Sequence, residues 1–87
     1  MVLDNFSTGR PQNLDHVADK IQLIECDISQ KGKWQDYFKS VDWLFHLGAL
    51  ADIVPSIENP NSYYESNVNG TFNVLEACRK HNVKKIV

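Results

Sequence analysis

Asp4 closes a short apolar run, Met1-Val2-Leu3, and opens a polar turn that runs Asn5-Phe6-Ser7-Thr8-Gly9-Arg10-Pro11. A carboxylate just after a strand can accept hydrogen bonds from both hydroxyls of an adenosine ribose. It would repel a 2′-phosphate, so this chemistry favours NAD over NADP. The plainer reading is an acidic turn initiator bonded to its own loop, and from position alone that reading is the stronger. Asp27 ends the apolar stretch Ile21–Cys26. Its carboxylate can accept from an adenine amino group, with the Ile28 backbone and side chain bordering the ring; taken alone, the reading as a helix cap or turn residue is the stronger. Leu47-Gly48-Ala49-Leu50-Ala51 is a run of small residues broken by leucines. Its backbone can pass close to a flat ligand or a diphosphate, although Gly48 suits a tight turn just as well.

His46 has the chemistry of a general acid or base, but it lies inside an apolar strand, where a hydrogen-bonded core histidine is the stronger reading. Cys26 and Cys78 have apolar neighbours and no adjacent cation, which assigns them to packing rather than reactivity. Two sequons, Asn5-Phe6-Ser7 and Asn69-Gly70-Thr71, carry no weight without a secretory signal. Trp34 and Trp43 read as core or interface residues.

The elements that must position these residues alternate. Met1–Leu3 is too short for an ordinary strand and reads as the tail of one. Pro11–Ala18 suits a short helix through Leu14, Val17 and Ala18, with Gly9 free to take positive φ in the turn before it. Ile21–Cys26 is a β-branched strand, and Lys33–Ser40 is a short amphipathic helix carrying Trp34, Tyr37 and Phe38 on one side. Val41–Leu47 is the next strand, apolar enough from Trp43 onward to be covered on both faces. A loop over Gly48–Pro60 contains a helical turn at Ser56–Glu58. A long helix is predicted over Asn61–His81. Two adjoining stripes mark its buried face: Tyr64, Val68, Thr71, Leu75, Cys78 and Tyr63, Asn67, Gly70, Val74, Ala77. Asn82 is its stop, and Lys84–Val87 begins a last strand. Strands and helices alternating at this spacing predict an α/β fold of parallel βαβ units.

The 87 residues fit one domain, and the 43% hydrophobic fraction suffices for one small core. Nine Lys+Arg against eleven Asp+Glu, interspersed, give a net charge of −2 and argue against a nucleic-acid grip. No apolar run reaches the roughly 18–20 residues of a bilayer span. Two cysteines are too few for a disulfide framework and are not spaced as a metal site. A cytoplasmic chain without metal, membrane or nucleic acid is the expectation.

Four segments gain specificity together: Asp4–Gly9, Cys26-Asp27-Ile28, His46-Leu47-Gly48-Ala49 and Asn67-Val68-Asn69-Gly70-Thr71. In order and spacing they resemble the extended short-chain dehydrogenase/reductases. The chain is similar to the NAD-dependent sugar-nucleotide epimerase/dehydratase family within them, and most to its UDP-hexose 4-epimerase branch. The resemblance covers essentially all 87 residues. It implies that Asp4, Asn5, Ser7, Thr8 and Gly9 hold the adenosine ribose and the adjoining phosphate. Asp27 and Ile28 would flank adenine, and Leu47, Gly48, Ala49, Leu50 and Ala51 would line the diphosphate and nicotinamide ribose. Many relatives touch the cofactor through an Asn placed where this chain has Ser66. Relatives commonly follow the strand-end His with Ala-Ala or Ala-Gly, from which Leu47-Gly48-Ala49 is a mild departure; epimerases often carry Lys near position 51, where this chain has Ala51 followed by Asp52, a difference that bears on the substrate assignment. The resemblance also implies a nucleotide-sugar substrate and a homo-oligomer.

Two family requirements are not met by this sequence. The glycines, at 9, 32, 48 and 70, form no Gly-rich diphosphate turn, which belongs about 20 residues before the ribose acid. No Tyr-x-x-x-Lys pair occurs, since Tyr37, Tyr63 and Tyr64 are followed at that spacing by Val41, Asn67 and Val68. The expectation is therefore a partial Rossmann-type sheet over residues 1–87. It holds the family's strands 2, 3, 4 and the start of 5, without strand 1, as an interior fragment of a longer epimerase or a degenerate reading frame. Such a chain would contribute to an NAD pocket and would not turn over substrate alone. The rival readings are a 4,6-dehydratase or decarboxylase with the same cofactor half, and a non-enzymatic dinucleotide-sensing or interaction module.

Overall fold

The computed structural model describes all residues from Met1 to Val87. Strand β1 (Val2–Asp4) pairs in parallel with β2 (Leu23–Glu25), with Val2 opposite Leu23 and Asp4 opposite Glu25. Strand β3 (Trp43–Leu44) pairs in parallel with β4 (Lys85–Ile86). Here the Lys85 ammonium sits 4.6 Å over the Trp43 ring. The connections Pro11–Val17 and Lys33–Phe38 are 3₁₀ segments rather than the α-helices expected. Pro11 opens the first of them, where a missing N–H costs nothing.

The two strand pairs are separate sheets: β1 bonds only to β2, and β3 only to β4. In a doubly wound sheet of order 3-2-1-4-5 the pairs occupy positions 3-2 and 4-5, leaving position 1 open between them. The strands are also shorter than their apolar runs, because a ladder is counted only where a neighbour answers it.

One core joins the halves. Trp34 and Phe38 from the second 3₁₀ segment meet Val74, Ala77 and Cys78 of helix α3 (Gly70–His81), and Leu3, Cys26, Ile28, Leu44 and Val83 pack around them. The two aromatic rings meet edge to face at 5.7 Å, and the Trp34 indole N–H donates to the Gln30 carbonyl at 2.8 Å. That leaves no polar atom stranded in the cluster's largest side chain.

The expected long helix is a composite of α2 (Pro60–Tyr63), a π turn over Tyr64–Asn69, and α3. Before it comes α1 (Ile53–Glu58), longer than the single turn predicted in that loop. Asn59 caps α2, its side chain accepting from the Ser62 N–H. Asn82 terminates α3 in the left-handed region at φ 56°, its N–H bonded to the Cys78 carbonyl, as predicted for that position.

Three expectations are corrected. Strand β3 is covered on one face only: Leu44 and His46 turn inward, whereas Trp43 is 54%, Phe45 62% and Leu47 86% exposed. Alternation, not a two-sided cover, governs that run. On the long helix the buried face is the Gly70–Val74–Ala77 stripe with Cys78, while Tyr64, Val68 and Leu75 of the other stripe face outward. Gly9 does not use positive φ; in that turn Phe6 takes it, at 52°.

Candidate functional site at the carboxyl ends of the strands

The residues that follow β1, β2 and β3 meet on one rim. The Cys26 N–H donates to the Asp4 carbonyl at 3.0 Å, which ties the ends of β1 and β2. The Ile28 side chain then reaches across to the third strand's loop, lying 3.4 Å from where a Cβ on Gly48 would stand and 3.0 Å from one on Gly70. The carboxyl ends of parallel strands are where open α/β sheets bind ligands.

Asp4 divides its carboxylate between two roles. Oδ1 accepts from the Phe6 N–H at 2.8 Å, the short turn that the plainer sequence reading describes. Oδ2 has no protein donor, and the chain folds back so that a Cβ on Gly9 would lie 3.2 Å from it. Asn5 repeats the motif, its side-chain oxygen accepting from the Ser7 N–H at 3.0 Å. Ser7, Thr8 and Gly9 are exposed, and the Thr8 and Gly9 amides are bonded to no protein acceptor. Two successive free amides beside a free carboxylate oxygen can serve a phosphate and a diol at once.

Asp27 is similar, its Oδ1 accepting from the Ser29 N–H at 2.8 Å. Asp27 and Asp4 both act on the Cys26 thiol: burial pushes it above its ordinary value, and these two carboxylates push it further. The Ile28 side chain is spent between Gly48 and Gly70, so at the rim Ile28 offers its backbone. Its carbonyl accepts from the Asn73 amide at 2.9 Å, and the same amide bonds the Ser29 carbonyl at 3.1 Å.

The loop after β3 is held from the long helix. Asn67, in the π turn, accepts from the Leu50 N–H and donates to the Leu50 carbonyl, both at 2.8 Å. Single-turn π segments often mark functional sites. One residue earlier stands Ser66, partly buried. Gly48, Ala49 and Ala51 are exposed with amides unbonded. His46 is the bonded histidine expected, its Nε2 lying 2.8 Å from the Thr71 hydroxyl. Thus Asp4 and Gly9 come together, as do Ile28 and Gly48, while no hydrogen bond links the 5–9 turn to the 47–51 loop. A separate open hollow lined by Ser29, Gln30, Lys31, Asn69, Phe72 and Asn73 includes none of the predicted site residues.

The model of the NAD dependent epimerase/dehydratase family matches residues 1–87. This chain belongs to that family. A putative UDP-glucose 4-epimerase of Methanocaldococcus jannaschii is 35% identical over 88 residues, covering 100% of this chain and 28% of that protein. The crystal structure of Thermus thermophilus UDP-glucose 4-epimerase in complex with NAD superposes with TM-score 0.87 at 32% identity, over 98% of this chain and 27% of that one. A double mutant of a dTDP-glucose 4,6-dehydratase from Streptomyces venezuelae, with NAD and DAU bound, reaches TM-score 0.91 at 28% identity over the same shares. The chain spans about a quarter of the length of these family members, and the superpositions confirm a Rossmann-type arrangement.

Sequence reasoning missed Asn73 and the holding role of Asn67. Both signals were present: Asn67 lies on the predicted inward stripe, and Asn73 precedes Val74 on it. A polar amide on a buried helical face must find partners, and here the partners are backbone groups of the rim.

Proposed function

We propose that this chain forms the adenosine side of an NAD site in a nucleotide-sugar epimerase, UDP-hexose 4-epimerase-like, acting in the cytoplasm as a homo-oligomer. Residues 1–87 constitute part of an NAD-binding Rossmann domain. Asp4 takes the ribose diol through Oδ2, the amides of Thr8 and Gly9 take the adjoining phosphate, and Asn5 and Ser7 hold that turn in shape. Asp27 and the Ile28 backbone border adenine; Leu47, Gly48, Ala49, Leu50 and Ala51, with Ser66, line the path of the diphosphate and nicotinamide ribose. NAD supplies a hydride acceptor at C4 of the sugar. The chain's own residues bind and orient it, and none is assigned a proton-transfer role.

The observation that carries this reading is the half-used carboxylate of Asp4, with its open oxygen and the unbonded amides beside it. Two free thiols, Cys26 and Cys78, suit a reducing compartment. A nucleotide-sugar 4,6-dehydratase is the second reading, supported by the likeness of the chain to the Streptomyces venezuelae dehydratase structure. Binding by this chain is weak, because a Rossmann site draws much of its grip from a Gly-rich turn, and no such spacing occurs among these glycines. Calorimetry is expected to show no micromolar dissociation constant for NAD. At millimolar NAD, amide resonances of Ser7–Gly9 and Gly48–Ala51 shift, and Asp4→Ala removes the first set. Unchanged shifts in that variant would take Asp4 out of the site.

A further inference from the structure

The hollow beside the rim is built by one helix face and one turn. Asn69, Phe72 and Asn73 stand at i, i+3 and i+4 where the π turn runs into α3, so they share a face. Across the hollow from that face lies the turn Ser29-Gln30-Lys31. The turn is held at several points. Asp27 accepts from the Ser29 and Gln30 amides, and Asn73 holds the Ile28 and Ser29 carbonyls. The space enclosed is about 530 Å³, within the range of small-molecule sites.

The helix side presents acceptors that lack donors. The Asn73 nitrogen is committed to two carbonyls, at 2.9 and 3.1 Å, which fixes the orientation of the carboxamide. Its Oδ1 receives no hydrogen bond, although the residue is only 4% exposed. The one side-chain nitrogen or oxygen sealed without a partner is His81 Nε2, so Asn73 Oδ1 keeps an opening, and the hollow is the space it lines. Asn69 repeats the pattern: its nitrogen donates to Glu65 Oε2 at 2.6 Å, and its Oδ1 is free. Glu65 thereby places a negative charge behind that pair of oxygens.

The turn side presents a cation. Lys31 stands where this hollow borders a second one that it shares with Glu76, and it makes no ion pair. Glu76 is spent elsewhere, since Arg79 donates to both of its oxygens at 3.0 Å. Those bonds hold the Glu76 carboxyl below its ordinary value, and Lys31 contributes less. Phe72, 55% exposed, is the single apolar wall.

We propose that this hollow binds a free aromatic α-amino acid, its ammonium on the Asn69 and Asn73 oxygens, its carboxylate on Lys31 and its ring against Phe72. The site does not rest on the NAD reading, because none of the residues given to the dinucleotide lines it. An ammonium offers three donors and no acceptor, which suits two amide oxygens with a carboxylate behind them. A nucleobase amine suits them less, because its ring nitrogens are acceptors that those oxygens would repel. A carboxylate without an ammonium leaves both oxygens without donors, and an amine without a carboxylate leaves Lys31 unpaired. An aromatic side chain adds the favourable ring contact that Phe72 makes available.

The test titrates L-phenylalanine into the whole chain and follows the side-chain amides of Asn69 and Asn73 and the backbone amide of Phe72. Hydrocinnamate has the same ring and no ammonium; phenethylamine has the same ring and no carboxylate. L-Phenylalanine should bind at least about fivefold more tightly than either, while the Ser7–Gly9 resonances stay in place. The Lys31 side chain is exposed and bonded to nothing, so Lys31→Gln keeps the fold. In that variant L-phenylalanine and phenethylamine should bind alike. The proposal is overturned if L-phenylalanine moves none of these resonances, or if the three compounds bind equally. A preference for the zwitterion that survives Lys31→Gln would overturn it too. So would tighter binding of adenosine monophosphate at the same resonances, which would make the hollow part of a nucleotide site.

Discussion

The turn after β1 and the loop after β3 lie on the same rim and are held by different means. In the first, Asp4 and Asn5 bond amides two residues away, so the turn carries its own constraints in adjacent side chains. In the second, Leu50 is gripped at both its N–H and its carbonyl by Asn67, from a helix seventeen positions along the chain. The loop at Ile28-Ser29 combines the two, with Asp27 bonding Ser29 locally and Asn73 holding two carbonyls from a separation of forty-four and forty-five residues. A turn of the first kind forms whenever its own residues are present. A loop of the second kind depends on the long helix being docked on the core.

Removing the distant anchors should therefore cost more than removing the local ones. Asn73→Ala strands two carbonyls beside a buried face and should lower unfolding free energy by about 2 kcal/mol, read from urea denaturation. A loss below about 0.5 kcal/mol would mean that water replaces the amide freely. Asn67→Ala should cost about 1 kcal/mol, with faster amide exchange confined to Gly48–Ala51. Faster exchange throughout α3 would instead make Asn67 part of the helix's own stability. Asn5→Ala, at an exposed turn, should change stability by less than about 0.5 kcal/mol while shifting only the Ser7–Gly9 resonances.

The smallest expected effect is on the Cys26 thiol, which reports the carboxylates of the two locally held turns. Burial and then Asp27 and Asp4 raise its titration, so at pH 9.0, its ordinary value, iodoacetamide should alkylate it more slowly than a free thiol. Asp27→Asn should speed that reaction. A thiol with a raised folded value favours the folded state below its unfolded value. That contribution falls as pH rises above 9.0, so stability should decline there rather than increase.

The same contrast explains what could be read from the amino-acid order. The Asp4, Asn5 and Asp27 turns, the Asn82 stop and the parallel alternation of elements are local or periodic, and these were legible. The hydrogen-bonded state of His46 was legible as well, from its place in an apolar run. The exposed face of β3 was not, because Trp43, Phe45 and Leu47 are apolar whether or not anything covers them. Composition records what a surface needs, and only coordinates record whether it is met. Ile28 shows the same limit: its sequence position puts it on the rim, but Gly48 and Gly70 open a space that draws its side chain inward. The π turn at Tyr64–Asn69 had no periodic signature, since a helix that widens for one turn keeps nearly the same apolar spacing.

The most direct measurement is a paired resonance titration of the chain with NAD and with NADP, followed at Ser7, Thr8 and Gly9. With the Asp4 Oδ2 oxygen turned to the ribose diol, NAD should bind at least about tenfold more tightly than its 2′-phosphorylated form, and Asp4→Ala should abolish that preference. Equal affinities in the unaltered chain, or a preference that survives Asp4→Ala, would contradict the assignment of that carboxylate to the dinucleotide.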